Sequence, residues 1–203
     1  LNRDGRSEVI LAGANQVYWN EGDGQLRKGR LCAHYPSRLS AAVIADFDGD
    51  GMADLLGQPI DTAPILYRGG AGGRFEGEPE VIMNQPAEFA GGICATVGDI
   101  DGDGDLDAWL AQYKSAYKNG QMPTPYYDAN DGFPSFLFIN DGKGRFTEST
   151  AAAGLDKKRF RRTYSSSLVD LDGDHDLDLV VISDFAGLDV YLNDGKGRFT
   201  DVT

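Results

Sequence analysis

Short apolar runs alternate along this chain with acidic and glycine-rich segments. Residues 41–45 (Ala-Ala-Val-Ile-Ala) precede one acidic segment, and residues 178–182 (Asp-Leu-Val-Val-Ile) follow another. Runs of this length, rich in β-branched residues and bounded by turn residues, are typical of β-strands. The pattern therefore predicts many short strands separated by polar turns, with almost no helix.

The acidic segments repeat one pattern, Asp-x-Asp-x-Asp-x-x-x-Asp. It occurs in full at Asp46–Asp54, Asp99–Asp107 and Asp170–Asp178, and in part at Asn2–Glu8. Four carboxylates within nine residues repel one another unless they converge on a hard cation that takes six to eight oxygen ligands. Calcium fits this requirement better than magnesium, which retains its waters in a tighter octahedron.

The pattern predicts three calcium sites, the third of them weaker, and leaves a fourth, partial site in doubt. The sixth loop position, Gly51, Gly104 or His175, is expected to adopt a positive φ, which His accepts better than most residues. The partial copy is the poorest candidate because Glu8 replaces the last Asp. The predicted ligands are Asp46, Asp48, Asp50, Asp54 and the carbonyl of Met52; Asp99, Asp101, Asp103, Asp107 and the carbonyl of Asp105; Asp170, Asp172, Asp174, Asp178 and the carbonyl of Asp176; and Asn2, Asp4, Arg6 and Glu8.

The sequence excludes two other classes of calcium-binding loop. An EF-hand needs a bidentate Glu at the twelfth position of its loop, and that position holds Gly57, Leu110 and Val181. Tandem nine-residue repeats fail because the full loops start 53 and then 71 residues apart. Such spacing indicates a large repeated unit.

A second repeat follows each acidic loop. An aromatic residue, then Asn or Gly two positions on, then a glycine-rich turn, recurs from Tyr18, Tyr67, Phe138 and Tyr191. Asn, Asp and Gly tolerate the positive φ of tight hairpin turns. Each unit thus holds about four antiparallel strands in roughly 50 residues, as in one propeller blade. We expect one all-β domain, 1–203, with units near 1–40, 41–93, 94–164 and 165–203.

Together the two motifs resemble the FG-GAP/VCBS repeat family, which includes the calcium-binding blades of integrin α-chains. Residues 146–155 further resemble secreted cartilage-acidic-protein-like and bacterial members. The resemblance implies a β-propeller outside the cytoplasm, with structural calcium and loops that face partners. Family propellers have six to eight blades, so about four repeats imply part of a longer chain or a larger assembly. The resemblance does not imply a single function.

Composition narrows the class of partner. The formal net charge of −13 argues against nucleic acid, and no stretch approaches the roughly 20 apolar residues of a membrane helix. The expected location is extracellular, at the cell surface or periplasmic. Cys32 and Cys94 fit either one disulfide or two buried thiols.

One unit carries an insertion from Gln112 to Pro134, rich in aromatic residues. It is expected either to pack on its own blade or to recognise a protein or glycan partner through Tyr113, Tyr117, Tyr126 and Tyr127. The basic run Lys157–Arg162 is expected to be a solvated loop, with docking of an acidic partner or polysaccharide as the alternative. Trp19 and Trp109 are expected in the core.

These features favour a binding, adhesion or assembly module with structural calcium, because every unit repeats the loop and a catalytic ion would occupy one special copy. A calcium-dependent polysaccharide lyase and a purely structural subunit remain the alternatives. No Gly-x-Ser-x-Gly elbow, phosphate loop or zinc ligand set occurs.

Overall fold

The chain folds into four antiparallel β-sheets arranged as propeller-like blades. The computed structural model describes residues 1–60, 62–83, 89–117 and 122–203. Within these ranges the helical content is one 3₁₀ turn, Ala12–Ala14. The predicted all-β fold is therefore confirmed.

Each sheet is a simple meander whose strands pair in chain order. Sheet 1 has three strands and the other described sheets have four. The strands are β1 (Val9–Leu11), β2 (Gln16–Gly22) and β3 (Gln25–Arg30) in sheet 1; β4 (Leu39–Ala45), β5 (Asp54–Pro59), β6 (Ile65–Tyr67) and β7 (Glu80–Val81) in sheet 2; β8 (Gly92–Gly98), β9 (Asp107–Gln112), β10 (Phe136–Asn140) and β11 (Phe146–Glu148) in sheet 3; and β12 (Arg162–Val169), β13 (Asp178–Asp184), β14 (Gly187–Asn193) and β15 (Phe199–Asp201) in sheet 4.

The hydrophobic core lies between successive sheets. Strand β9 illustrates the arrangement: Ala108 and Leu110 pack against sheet 2, whereas Trp109 and Ala111 pack against sheet 4. Successive side chains of a strand point to opposite faces, so one apolar run serves two interfaces. Strand β9 is buried along its whole length for this reason. The innermost strands β4, β8 and β12 also pack against one another in order.

The sequence predictions for the core hold, with one change in strand pairing. Trp19 and Trp109 are buried. Among the described residues, Cys32 and Cys94 are free thiols, so the structure has no disulfide between them. The hairpin predicted after Tyr67 differs from its sister copies: β7 begins only at Glu80, and the backbone of Phe75 pairs instead with the segment after β3, where the N–H of Ala33 donates to its carbonyl at 2.9 Å.

The prediction that the basic run Lys157–Arg162 is a solvated loop is wrong for its last two residues. The side chains of Arg161 and Arg162 are 5% and 3% exposed and pair with carboxylates. Arg161 bonds Asp189 of β14, and Arg162 bonds Asp131 in the insertion. Burial without a partner would be costly for a guanidinium, so these ion pairs are the reason that both residues can lie inside the fold.

Candidate metal centres and an aromatic groove

The three full acidic loops occupy equivalent places, each between the first and second strand of its sheet. Each loop turns through two residues with positive φ, at its fourth and sixth positions, such as Gly102 (77°) and Gly104 (94°). His175 takes the sixth position of the last loop with φ 77°, as expected. In the partial copy Arg3 and Gly5 adopt the same conformation, at 60° and 79°.

The first Asp of each loop holds this turn in place. Asp99 accepts hydrogen bonds from the backbone N–H groups of Gly102 (2.8 Å) and Gly104 (3.0 Å). Asp46 and Asp170 accept the equivalent bonds at 2.7–3.2 Å. At the seventh position, the N–H groups of Met52, Asp105 and Asp176 donate to the fifth-position Asp at 2.6–3.0 Å.

The ninth-position Asp ties the loop to the rest of its own sheet. Asp107 is fully buried, and its two oxygens accept N–H bonds from Ile100 in the loop (2.9 Å) and Asn140 at the end of β10 (2.8 Å). Asp54 and Asp178 are equally buried and make the corresponding pairs of bonds at 2.7–3.0 Å.

In each full loop three carboxylates converge, with one oxygen from each lying within 4.8 Å of the others. The first loop does not bring Asp54 into this group, the second leaves out Asp103, and the third leaves out Asp174. The converging sets are Asp46, Asp48 and Asp50; Asp99, Asp101 and Asp107; and Asp170, Asp172 and Asp178.

The polar groups of the partial copy form hydrogen bonds with one another. Asn2 and Asp4 bond each other, and the N–H of Arg6 donates to Asp4 at 2.9 Å. No group of three acidic, histidine or cysteine ligands forms here in the described part of the chain.

The donor sets of the full loops fit a hard divalent cation. Burial raises the pKa of Asp107 to about 6, against the lowering effect of its two N–H bonds. Burial also raises the pKa of Asp101, and repulsion from Asp103 and Asp99 adds to it. Oδ1 of Asp101 is buried and accepts no hydrogen bond from any described residue. No described residue compensates the negative charge on this buried oxygen, and a cation bound among these carboxylates would do so.

A recurrent Asn joins each of the first two full loops to the next sheet. Nδ2 of Asn140 donates to the carbonyl of Phe47 in the first full loop (2.8 Å) and to Leu106 in its own sheet (3.2 Å). Asn193 repeats these bonds to Ile100 (2.8 Å) and Leu177 (3.1 Å). The sequence shows this Asn in the aromatic-x-Asn repeat, but only the fold reveals that it bridges two sheets.

The first full loop has a cationic neighbour, whereas no ion pair to the second loop forms among the described residues. Nη1 of Arg68 lies 2.8 Å from Oδ2 of Asp48, and Nη2 lies 3.2 Å from Glu80. The residue at the equivalent hairpin position in sheet 3 is Ile139, and in sheet 4 it is Leu192. The three loops therefore share a motif but differ in electrostatic surroundings.

The insertion from Gln112 to Pro134 extends from sheet 3 to sheet 4. Its residues 118–121 lie outside the described part of the chain. Backbone N–H groups of Asp128 and Ala129 donate to the carbonyl of Phe185 in the β13–β14 turn at 2.7 and 3.2 Å. The insertion and this turn form a groove of about 580 Å³, which we call the aromatic groove, lined by residues 126–128, Tyr164 and residues 183–187.

The four tyrosines predicted to bind a partner gather at this groove in two roles. Tyr117, Tyr126 and Tyr127 are exposed, by 52%, 41% and 82%. Tyr113 is half-buried beside the groove: it stacks on Tyr164 (4.6 Å between ring centroids) and its hydroxyl donates to Asp184 at 3.0 Å. Tyr113 therefore supports the groove more than it lines it.

Comparison with known proteins agrees with the repeated motifs. The family model described as FG-GAP-like repeat matches residues 1–57 and 46–110, which together span more than half of the 203 residues. The matched stretches contain the partial loop and the first two full loops. No curated protein matches the chain. No helix among the described residues has the length and apolarity needed to cross a membrane.

Proposed function

The chain belongs to the FG-GAP-like repeat family, and from this premise we propose that it is a calcium-stabilised binding module of the extracellular, cell-surface or periplasmic space. It acts without catalysis, as an adhesion or assembly unit for a protein or glycan partner. Blade-like sheets supply a rigid scaffold, and loops on such scaffolds commonly carry recognition.

The observation that carries the calcium role is the convergence of three carboxylates in each full loop. The same loops hold the sheets together, because Asp107 bonds Asn140 and Asn140 bonds Phe47 of the preceding loop. A cation that fixes the loop thus also fixes the contact between sheets. Met52, Asp105 and Asp176 would add backbone carbonyls, and the bound ion would supply charge compensation to the carboxylates.

Calcium titration tests the proposal. Protein stripped with a chelator is titrated with calcium in a calorimeter, and thermal unfolding is followed at several calcium concentrations. We expect binding heat and a melting temperature that rises with calcium, since a ligand that binds only the folded state stabilises it by mass action. Magnesium at the same concentration should have a smaller effect. A folded sample with neither heat nor a thermal shift would refute the calcium role.

A further inference from the structure

The aromatic groove presents ring faces in more than one plane. Tyr126 and Tyr127 are nearly perpendicular, at 86° with centroids 5.0 Å apart, and Tyr126 meets Phe185 at 59° and 5.4 Å. The face of an aromatic ring is electronegative and attracts the partly positive C–H groups of an apolar surface. A pyranose ring carries such C–H faces, and a corner of two rings can hold one against both.

Polar groups lie beside these rings, where they can form hydrogen bonds with the hydroxyl groups of a sugar that stacks on the rings. Oδ2 of Asp184 accepts hydrogen bonds from the hydroxyls of Tyr113 (3.0 Å) and Tyr164 (3.5 Å). Ser183, also in the lining, carries a hydroxyl 3.3 Å from that of Thr163. A tyrosine hydroxyl can donate to or accept from a saccharide hydroxyl, and a carboxylate accepts from it.

The charge of the groove selects against anionic ligands. Asp184 forms no ion pair with any described residue, whereas Asp128 is paired with Arg161. The side chain of Arg161 is 5% exposed and already bonds Asp189, so it offers nothing to a uronate or sulfate. The whole chain is acidic as well, with a net charge of −13. A neutral saccharide avoids this repulsion.

The groove is built before any ligand arrives. Tyr117, Asp128 and Phe185 adopt left-handed φ of 59°, 65° and 63°, a conformation that is costly for residues other than Gly. The hydrogen bonds from the insertion to the carbonyl of Phe185 hold two of these residues together. Strained backbone of this kind clusters at binding sites, where the surrounding structure maintains it.

We propose that the aromatic groove binds neutral oligosaccharides, with Tyr126 and Tyr127 as stacking surfaces and Asp184 as the hydrogen-bonding group. The proposal rests on the binding-module function above and names its ligand class. A groove of about 580 Å³ has the size of a small-molecule site, whereas a stable protein interface buries roughly 800 Å² on each partner. The volume therefore fits a short saccharide.

A binding array tests the ligand class. It compares neutral oligosaccharides with uronate-containing oligosaccharides and with Lys/Arg-rich peptides. The best neutral saccharide is then titrated into the calcium-loaded protein and followed by amide NMR shifts. We expect selective binding of a neutral series. Tyr127→Ala should weaken it roughly tenfold, as expected for loss of an aromatic anchor, while Tyr127→Phe keeps the ring and should bind like the wild type.

Phe160→Ala is the matched control, because Phe160 is an aromatic residue outside the groove with 40% exposure. It should leave saccharide binding within about twofold of the wild type. The absence of binding to every neutral saccharide, equal binding by Tyr127→Ala, or selective binding of the basic peptides would overturn the proposal. Calcium-dependent melting is measured on the same samples, so the calcium role is judged independently of the ligand class.

Discussion

The loops at 46–54 and 99–107 share a sequence pattern, a backbone shape and the same N–H bonds to their first and ninth Asp. They differ in which carboxylates converge. The second loop gathers Asp99, Asp101 and the buried Asp107, whereas the first gathers Asp46, Asp48 and Asp50 without Asp54. The same motif therefore brings different sets of carboxylates together in these two loops.

The two loops also differ in the residues around the motif. In sheet 2, Arg68 forms ion pairs with both Asp48 and Glu80. In sheet 3 the equivalent Ile139 is apolar, and Oδ1 of Asp101 is left buried without a partner. A fixed guanidinium beside one ligand reduces the negative potential that a cation would meet. From this contrast we infer that the second loop is the better prepared of these two to hold a cation.

The largest expected effect is that of Asp107→Asn. The amide would turn an NH₂ group toward one of two backbone donors and would remove a ligand charge. In calcium we expect a loss of about 3–5 kcal/mol in the free energy of unfolding, from one unpaired buried N–H and the lost calcium linkage. Without calcium the loss should fall to about 1 kcal/mol. Asn then also removes a buried carboxylate that has no cation to compensate it and whose pKa burial raises to about 6.

Asp54→Asn is the matched variant, since Asp54 is equally buried and makes the same two N–H bonds. Denaturant unfolding with and without calcium gives the difference between the two conditions for each variant. We expect that difference to be larger for Asp107→Asn. Equal differences would mean that Asp54 joins its site as fully as Asp107 does, and the contrast between the loops would disappear.

The fold and the loops were predictable because their signals are local and repeated. The positive φ at His175, the strands on both sides of Asp46–Asp54 and the burial of Trp109 all follow from short-range patterns. Antiparallel pairing between neighbours in the chain needs only turns of the right chemistry. Four in-phase copies then exclude most other folds.

The contacts between sheets could not be predicted in the same way. Arg161 and Arg162 were expected in solvent because a basic run in an acidic chain gives no sign of its partners. Their partners, Asp189 and Asp131, lie about 30 residues away in opposite directions along the chain. The bond from Asn140 to Phe47 spans 93 residues. Such pairs depend on how sheets stack, which local propensity does not encode.

A smaller effect is expected from Arg68→Leu, which places in sheet 2 the residue found at 192 in sheet 4. Removing a positive charge next to Asp48 should strengthen calcium binding at the first full loop roughly fivefold, as a simple charge–charge estimate at high dielectric suggests. Calorimetric titration measures the change. Arg74→Leu removes the same charge from an exposed pair with Glu76 and should leave the affinity unchanged. Weaker binding in Arg68→Leu would instead show that Arg68 positions Asp48 for the ion.

The smallest effect is expected at the sixth position, where the third loop has His175 and the other two full loops have Gly. His175→Gly should relieve the left-handed backbone at φ 77°, but Gly also gains entropy in the unfolded chain. The imidazole is 94% exposed, so its 3.6 Å contact with Asp170 contributes little to stability. We expect the free energy of unfolding to change by less than about 0.5 kcal/mol, with calcium affinity at this loop unaltered. A large gain in affinity would show that backbone strain, and not the neighbouring charge, limits these sites, and the contrast between the first two loops would then need another cause.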